Sequence, residues 1–301
     1  MPYIQLYTND NYYNTPAITH ELKNNGYETK IVLCTGPRLF NCGKFYGYAG
    51  FDSTEFNFEE AALGLSIPEE FKKGGNISEE HIVDEIIREF DAKEPGKKEF
   101  YMVLTMQTHS PYKLGKYENY DVEVVSSPAS ESMNDSLQAY AQGIFDTDAQ
   151  LLRLYEYIQS LEEPTMIVFF GDHLPQITDQ YGNSMVSTLP YFNTDDEKVN
   201  LYREYNTSAL LLANFPIEES EIHYLSPDML STYVLNNMDL ELSPYYRYLY
   251  TLLPTMGGMN KYVVQDSEGG LHYPTELEGK LKDAYLERES MQYRYFISDY
   301  Q

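Results

Sequence analysis

TMIVFFGDHLPQ, residues 165–176, sets an apolar run from Met166 to Phe170 against an abrupt polar end, Gly171-Asp172-His173. A short run of β-branched and aromatic residues bounded by Pro164 and Gly171 reads as a buried strand. A second run, FYMVLTM (100–106), also closes on polar residues, Gln107-Thr108-His109. TKIVLCT (29–35) and TSALLLANF (207–215) read as two further strands. Between them lie helical patterns. PAITHELKNNGY (16–27) has Pro16 in a first turn, Ile18 and Leu22 on one face, and Gly26 as terminator. SEEHIVDEIIREF (78–90) is capped by Ser78, with an apolar stripe of Ile82, Val83, Ile86, Ile87 and Phe90. A third helix is expected near 137–161, with Gly143 as its weak point, and a fourth in DMLSTYVLNNM after Pro227. Strands alternating with helices predict an α/β fold, a mostly parallel sheet covered on both faces. The strands near 29–34, 100–105, 165–170 and 207–213 are expected in one sheet, with the helices near 16–25, 78–91 and 137–161 on its faces.

In such a sheet ligands bind beyond the carboxyl ends of the strands. That places His109 and the Asp172–His173 pair at one edge, with Gly171 permitting a tight turn and Pro175 stiffening the exit. Carboxylate oxygen with imidazole nitrogen suits Mn, Zn or Fe, and Mg or Ca less well. Two readings stand side by side. In one, Asp172 and His173 are half of a metal site. In the other, Asp172 caps the next turn and His173 hydrogen-bonds to a backbone carbonyl. For His109 the alternative is a polar residue closing the loop before Ser110 and Pro111. His20, His81, His223 and His272 fall on helix faces or surface loops and read as non-catalytic.

The chain has 301 residues, 47 acidic against 21 basic, for a net charge of −26. That charge repels phosphate backbones and excludes a nucleic-acid partner. Thirty tyrosines and no tryptophan fit amphipathic packing or a polyol-facing surface. Cys34 and Cys42 make neither a disulfide framework nor a zinc-finger spacing. No run approaches the ~20 apolar residues of a membrane span, and MPYIQLYTNDNYY lacks the pattern of a signal peptide.

GDHLP after an apolar strand, THSPY after the preceding one, the entry segment NNGYETKIVL…FNCGKFYGYAGFD and the tail MQYRYFISDY together resemble the extracellular domain of lipoteichoic acid synthases. Those are phosphoglycerol transferases of the sulfatase and alkaline phosphatase superfamily. The resemblance spans nearly the whole chain. It implies a three-layer α/β sandwich, with 1–301 a single, partial sulfatase-like domain: a core over 1–215 and a helical, Tyr-rich part over 216–301. It implies that Asp172 and His173 ligate a catalytic divalent metal, manganese being usual in this branch. His109 would contact the phosphate or the leaving glycerol oxygen. The implied substrate is phosphatidylglycerol or another glycerophosphate donor, attacked through a phospho-threonine intermediate. The implied location is the extracellular face of the membrane or the cell envelope, with any membrane attachment through a region ahead of this chain.

The sequence departs from that pattern at its start. The family's first acidic ligand and nucleophilic threonine precede the NNGY-like segment, each after a strand. Here Thr8 and Thr15 follow no apolar strand, so neither is assigned as nucleophile. Phe40-Asn41-Cys42 stands where an aromatic-Asn-Arg phosphate-binding triplet is expected, and Arg38 is out of register. The chain is therefore expected to be the downstream two-thirds of a catalytic domain, lacking N-terminal strands and inactive by itself. The alternatives are a non-catalytic relative that binds polyol-phosphate or a partner, and a sulfatase or phosphodiesterase-type hydrolase. Neither cysteine sits in a CxPxR-like motif, which counts against a sulfatase.

Overall fold

The computed structural model describes residues 16–35, 42–56, 67–217, 222 and 224–294. Thr8, Thr15, Arg38, Phe40, Asn41, His223 and the tail beyond Arg294 lie outside them. In chain order the elements begin with α1 (Ile18–Asn24), β1 (Tyr27–Leu33), α2 (Cys42–Tyr48) and β2 (Ser53–Phe56). Next come β3 (Lys72–Lys73), β4 (Asn76–Ile77), α3 (Glu79–Ala92), β5 (Lys98–Leu104), α4 (Glu131–Gln159) and β6 (Met166–Phe170). Then follow α5 (Met185–Thr188), α6 (Glu197–Glu204), β7 (Ala209–Ala213), α7 (Pro227–Asn237) and α8 (Pro244–Leu252). The described chain closes with β8 (Met256–Met259), β9 (Val264–Asp266), β10 (Leu271–His272) and α9 (Gly279–Gln292).

These elements fall into two compact units. One comprises the described residues up to Phe56, Pro95–Val103 and the described residues from 222 onward; the other comprises 67–94 and Leu104–Ile217. In the first unit a sheet runs β2-β1-β5, with β1 and β2 parallel. Ile31, Val32 and Leu33 are all buried, as expected of a strand covered on both faces. The Asp52 carboxylate receives the Thr29 N–H and hydroxyl (2.9 and 3.0 Å), which ties the start of β2 to β1. Gly26 ends α1 at φ +83°, where a side chain would be strained. The core joins Leu22 of α1 to Met229 and Leu235 of α7, Leu249 of α8 and Met256 of β8. His272 pairs with Asp266 across β9 and β10 at 2.7 Å, so it lies on a strand and not on the surface loop expected of it.

In the second unit Ser78 caps α3, its hydroxyl accepting the His81 N–H at 3.1 Å. Ile82 and Val83 are buried as the apolar stripe requires. Helix α4 starts well before the expected position, because Ser130 caps it and Glu131 enters its first turn. Its early turns carry amides four residues apart, hence on one face. Asn134 Oδ1 receives the Ser126 N–H (2.9 Å), Gln138 Oε1 that of Val124 (2.8 Å), and Gln142 Oε1 that of Asp121 (2.6 Å). This ladder lines the 121–126 segment along the helix. The next residue on that face is Asp146.

One expectation is overturned. Among the described residues strands β6 and β7 do not pair with β1 or β5; they pair with each other, antiparallel, with Val168 opposite Leu211. An apolar run reports burial, not the partner or its direction. Here the ladder continues past β6, through Gly171 N–H to the Ser208 carbonyl (3.2 Å) and the Thr207 hydroxyl to the Gly171 carbonyl (2.6 Å). Gly171 suits that close approach, since a Cβ would stand a tight 3.2 Å from that of Thr207. No residue of β6 is fully buried, and Phe170 and Leu210 are 46% and 47% exposed.

Gly143, inside α4, also has a packing reason. A Cβ there would meet the Tyr117 hydroxyl at 2.8 Å and the Thr108 methyl at 3.0 Å. Gly143→Ala gains about 1 kcal/mol of helix propensity, against an overpacking cost of about 1–3 kcal/mol. The expected net is a destabilisation of about 1 kcal/mol, read as a lower urea midpoint; a midpoint raised above wild type would refute tight packing at this position.

Candidate active site

Asp172 and His173 follow β6 directly, and the turn folds them onto each other. The His173 N–H donates to Asp172 Oδ1 at 2.8 Å. The imidazole Nδ1 lies 2.8 Å from the Leu174 carbonyl. A carbonyl can only accept, so Nδ1 carries the proton and Nε2 presents its lone pair. That Nε2 stands 3.3 Å from Asp172 Oδ2, with both side chains about two-thirds exposed. The backbone-bonded alternative is thus realised in part, yet its hydrogen bond leaves the other ring nitrogen oriented as in metal-binding histidines. Two donors on one first-row cation at about 2.0–2.2 Å stand about 3.0–3.4 Å apart, which the observed separation matches. The pair therefore fits half of a metal site. Among the described residues no group of three or more His, Cys, Asp or Glu gathers to complete one.

His109 is exposed, with Nδ1 at 3.1 Å from the Ser110 carbonyl, so its Nε2 is likewise the lone-pair nitrogen. Its hydrogen bonds among the described residues are local: its N–H donates to the Met106 carbonyl at 3.1 Å, its ring meets Ser110, and its own carbonyl accepts from Lys116. Among the described residues no shared sheet unites it with Asp172, since β5 and β6 lie in different sheets. An apolar cluster does the equivalent work. Met133, Ile177, Met185 and Phe192 form its centre, and Tyr112, Tyr140 and Leu174 pack against it. Leu174 belongs to the Asp172 turn and Tyr112 to the His109 loop, so one cluster anchors both segments.

Tyr112 and Tyr140 were not foreseen as site residues. Their rings meet edge-on at 5.6 Å. Burial, the neighbouring Tyr140 and the charge of Asp172 push Tyr112 up to about 12. Burial and Asp172 also raise Tyr140. Both hydroxyls thus stay protonated near the carboxylate, available as donors to an oxyanion or a polyol. The signal was Tyr112 within THSPY, three residues after His109.

Behind the His109 loop lies a polar network. Gln107 is 1% exposed; its Oε1 receives the Glu79 N–H (2.7 Å), and its Nε2 donates to Asp146 Oδ2 (2.9 Å). Asp146 also receives Gln142 Nε2 (3.0 Å) and pairs with Lys73 (2.8 Å). The Tyr117 hydroxyl donates to the Gln107 carbonyl at 3.2 Å. These contacts fix the backbone leading into His109. Cys42, in the first unit, is 5% exposed and its thiol is raised by burial, so it offers no charge where an arginine was expected.

Residues 2–204 match the sequence profile of the Sulfatase family. A putative cyclic beta-1,2-glucan modification protein of Rhizobium meliloti is 27% identical over 246 residues, covering 82% of this chain and 36% of its own. An uncharacterized protein of Haemophilus influenzae is 23% identical over 165 residues, 52% of this chain and 28% of its own. The chain thus spans about a third of the length of the curated relatives it matches. Among solved structures, the phosphoglycerol transferase GacH of Streptococcus pyogenes, in complex with sn-glycerol-1-phosphate, aligns at TM-score 0.66 and 20% identity, over 91% of this chain and 62% of its own. The lipoteichoic acid synthase LtaP of Listeria monocytogenes aligns at 0.60 and 15%, over 97% and 74%. The C-terminal periplasmic domain of EptC from Escherichia coli, a complex with Zn, aligns at 0.53 and 16%, over 84% and 72%. Among the described residues no helix is long and apolar enough to cross a membrane. The fold is the α/β one of the alkaline phosphatase and sulfatase group, with a parallel central sheet, and the chain belongs to the Sulfatase family.

Proposed function

We propose that this chain carries part of a metal-dependent phosphoglycerol transferase site. Its donor would be phosphatidylglycerol or a related glycerophosphate lipid, handled at the outer membrane face or in the cell envelope. The two compact units would be parts of one sulfatase-like domain. The observation that carries the reading is the Asp172–His173 pair, with its free imidazole nitrogen at ligand–ligand distance from a carboxylate oxygen. The structural likeness to a transferase solved with sn-glycerol-1-phosphate supports the substrate class.

Asp172 and His173 would hold the cation, with manganese the proposed metal. When bound, it supplies positive charge to phosphoryl oxygens and lowers the pKa of a coordinated hydroxyl. His109 would present Nε2 to the phosphate, or, when protonated, donate to the leaving glycerol oxygen. Tyr112 and Tyr140 would donate hydroxyl protons to polyol or phosphate oxygens. The described residues bring together only two donors, and this supports a second reading: a chain that binds polyol-phosphate without turning it over. We propose that the isolated chain is inactive.

Titration with Mn should show weak, saturable binding that is lost in Asp172→Ala and in His173→Ala. Equal affinity in wild type and both variants would make the pair structural. Assays with phosphatidylglycerol and a chromogenic phosphodiester in the presence of Mn should show no turnover. Turnover abolished by both His109→Ala and Asp172→Ala would overturn the inactivity and restore the transferase reading in full.

A further inference from the structure

A concavity of about 420 Å3 opens in the second unit beside the His109 loop. Its wall carries Lys72, Lys73 and Lys116, which outnumber the two acids there, Glu118 and Asp121. In a chain with 47 acidic and 21 basic residues, three lysines gathered at one concavity are a local enrichment, although Lys72 and Lys73 have carboxylate partners just outside its wall.

The side chains show which of these charges a ligand could use. Lys72 is paired with Glu69 at 2.7 Å, but Glu69 is 89% exposed, and such a surface pair holds its lysine weakly. Lys73 reaches Asp146, whose carboxylate also takes the side-chain amides of Gln107 and Gln142, so its charge is shared among three donors. Asp121 is likewise engaged, accepting Gln142 Nε2 at 3.2 Å. Lys116 stands apart. Its ammonium lies over the faces of Tyr112 and Tyr117, 5.5 Å from each centroid, and donates to the His109 carbonyl. No carboxylate pairs with it among the described residues, and burial pulls it down to about 8. Gly74, at φ +64°, makes room for it, because a Cβ there would lie 2.8 Å from Lys116 Cε and 2.9 Å from the Tyr117 ring. A half-buried ammonium with one neutral acceptor has two N–H donors to spare, and an anion would restore the charge compensation that burial removes.

We infer that the Lys72–Lys73–Lys116 concavity is a phosphate-binding subsite, separate from the Asp172–His173 pair, for a phosphorylated polyol. The assignment rests on the proposed function for the polyol part alone; the phosphate part stands on the lysines and the glycine between them. Because Lys116 grips the His109 carbonyl, an occupant would lie next to the backbone of that loop. A substrate with repeated phosphates could place one phosphate here and another at His109.

The test uses the full chain in EDTA at low ionic strength, where the Asp172–His173 pair holds no cation. Inorganic phosphate, sn-glycerol-1-phosphate and glycerol are titrated and followed by amide chemical shifts. Both phosphates should bind saturably in the millimolar range and glycerol should not. Lys116→Gln and Lys73→Gln should each weaken binding about tenfold or more, while Asp172→Ala and Lys261→Gln, the latter a first-unit lysine outside this lining, leave it unchanged. Lys73 is half exposed, so its variant keeps the test valid if Lys116→Gln disturbs the loop. Absence of saturable binding overturns the inference, as does affinity unchanged in Lys73→Gln. Binding that requires Mn, or is lost in Asp172→Ala, also overturns it, while supporting the reading of the Asp172–His173 pair.

Discussion

Asp228→Ala is expected to cost about 3–5 kcal/mol of folding stability, among the largest effects of a single substitution in this chain. Arg288 of α9 is 5% exposed, and its Nε and Nη2 both donate to Asp228 Oδ2, at 2.9 and 2.8 Å. Asp228 sits in the first turn of α7, where a carboxylate also suits the helix N-terminus. Its other oxygen is buried without a partner, so the pair is not fully satisfied. Remove the carboxylate and, among the described residues, Arg288 keeps only the Met259 sulfur at 3.0 Å and Glu289 at 3.4 Å. A guanidinium cannot shed its proton, so it must stay buried with the long contact to the half-exposed Glu289 as its counter-charge, or pull α9 away from α7. Against a typical total of about 5–15 kcal/mol, the loss would leave the first unit partly unfolded at 37 °C. The double variant Asp228→Leu/Arg288→Met, apolar at both positions, should recover most of it. Equilibrium urea unfolding measures both. A single variant within about 1 kcal/mol of wild type would show that the pair is not a keystone of this core.

What the sequence disclosed and what it withheld divide along physical lines. Local signals were legible. Ser78 caps α3, Gly26 ends α1 with a positive φ, and Pro227 opens α7, each through chemistry confined to one turn. The polar ends of two apolar runs were legible as well, and Asp172 and His173 do face each other. Pairing was not: β6 lies against β7 and not beside β5, because side-chain pattern carries no label for the strand across the ladder. The start of α4 was missed because ESMNDSLQ reads as a polar Ser-rich stretch. Its amides at 134, 138 and 142 serve the 121–126 backbone, a use visible only once the helix is given. Lys116 and Tyr140 were missed for a similar reason. Their surroundings come from segments distant in sequence, and neither carries a motif.

The pH dependence of stability should be dominated between pH 5 and 8 by Glu79, one residue after the cap of α3. Glu79 is 5% exposed, its Oε1 is buried with no partner, and burial raises it to about 7. The negative Asp146 pushes in the same direction, whereas a hydrogen bond from Thr105 opposes both. An ordinary glutamate titrates near 4.5. Between those two values the folded chain therefore binds a proton that the unfolded chain has released, and folding is favoured by acid. The contribution is fully present below about pH 4.5 and is lost as pH rises through about 7, a gap equivalent to about 3 kcal/mol. Most carboxylates give the opposite slope, but theirs lies at lower pH, so urea midpoints should fall from pH 5.5 to pH 8. Glu79→Gln keeps the shape and cannot ionise; it should flatten that fall and raise stability at pH 8. The consequence reaches the candidate site. Gln107 joins the Glu79 N–H to Asp146, and the chain leaves Gln107 for His109 two residues later. An ionised Glu79 beside Asp146 loads the network that fixes the His109 backbone, so amide exchange at 107–110 should quicken at pH 8 in wild type but not in Glu79→Gln. Equal midpoints at the two pH values in wild type would mean that Glu79 finds compensation on ionising, and the coupling to His109 would fall with it.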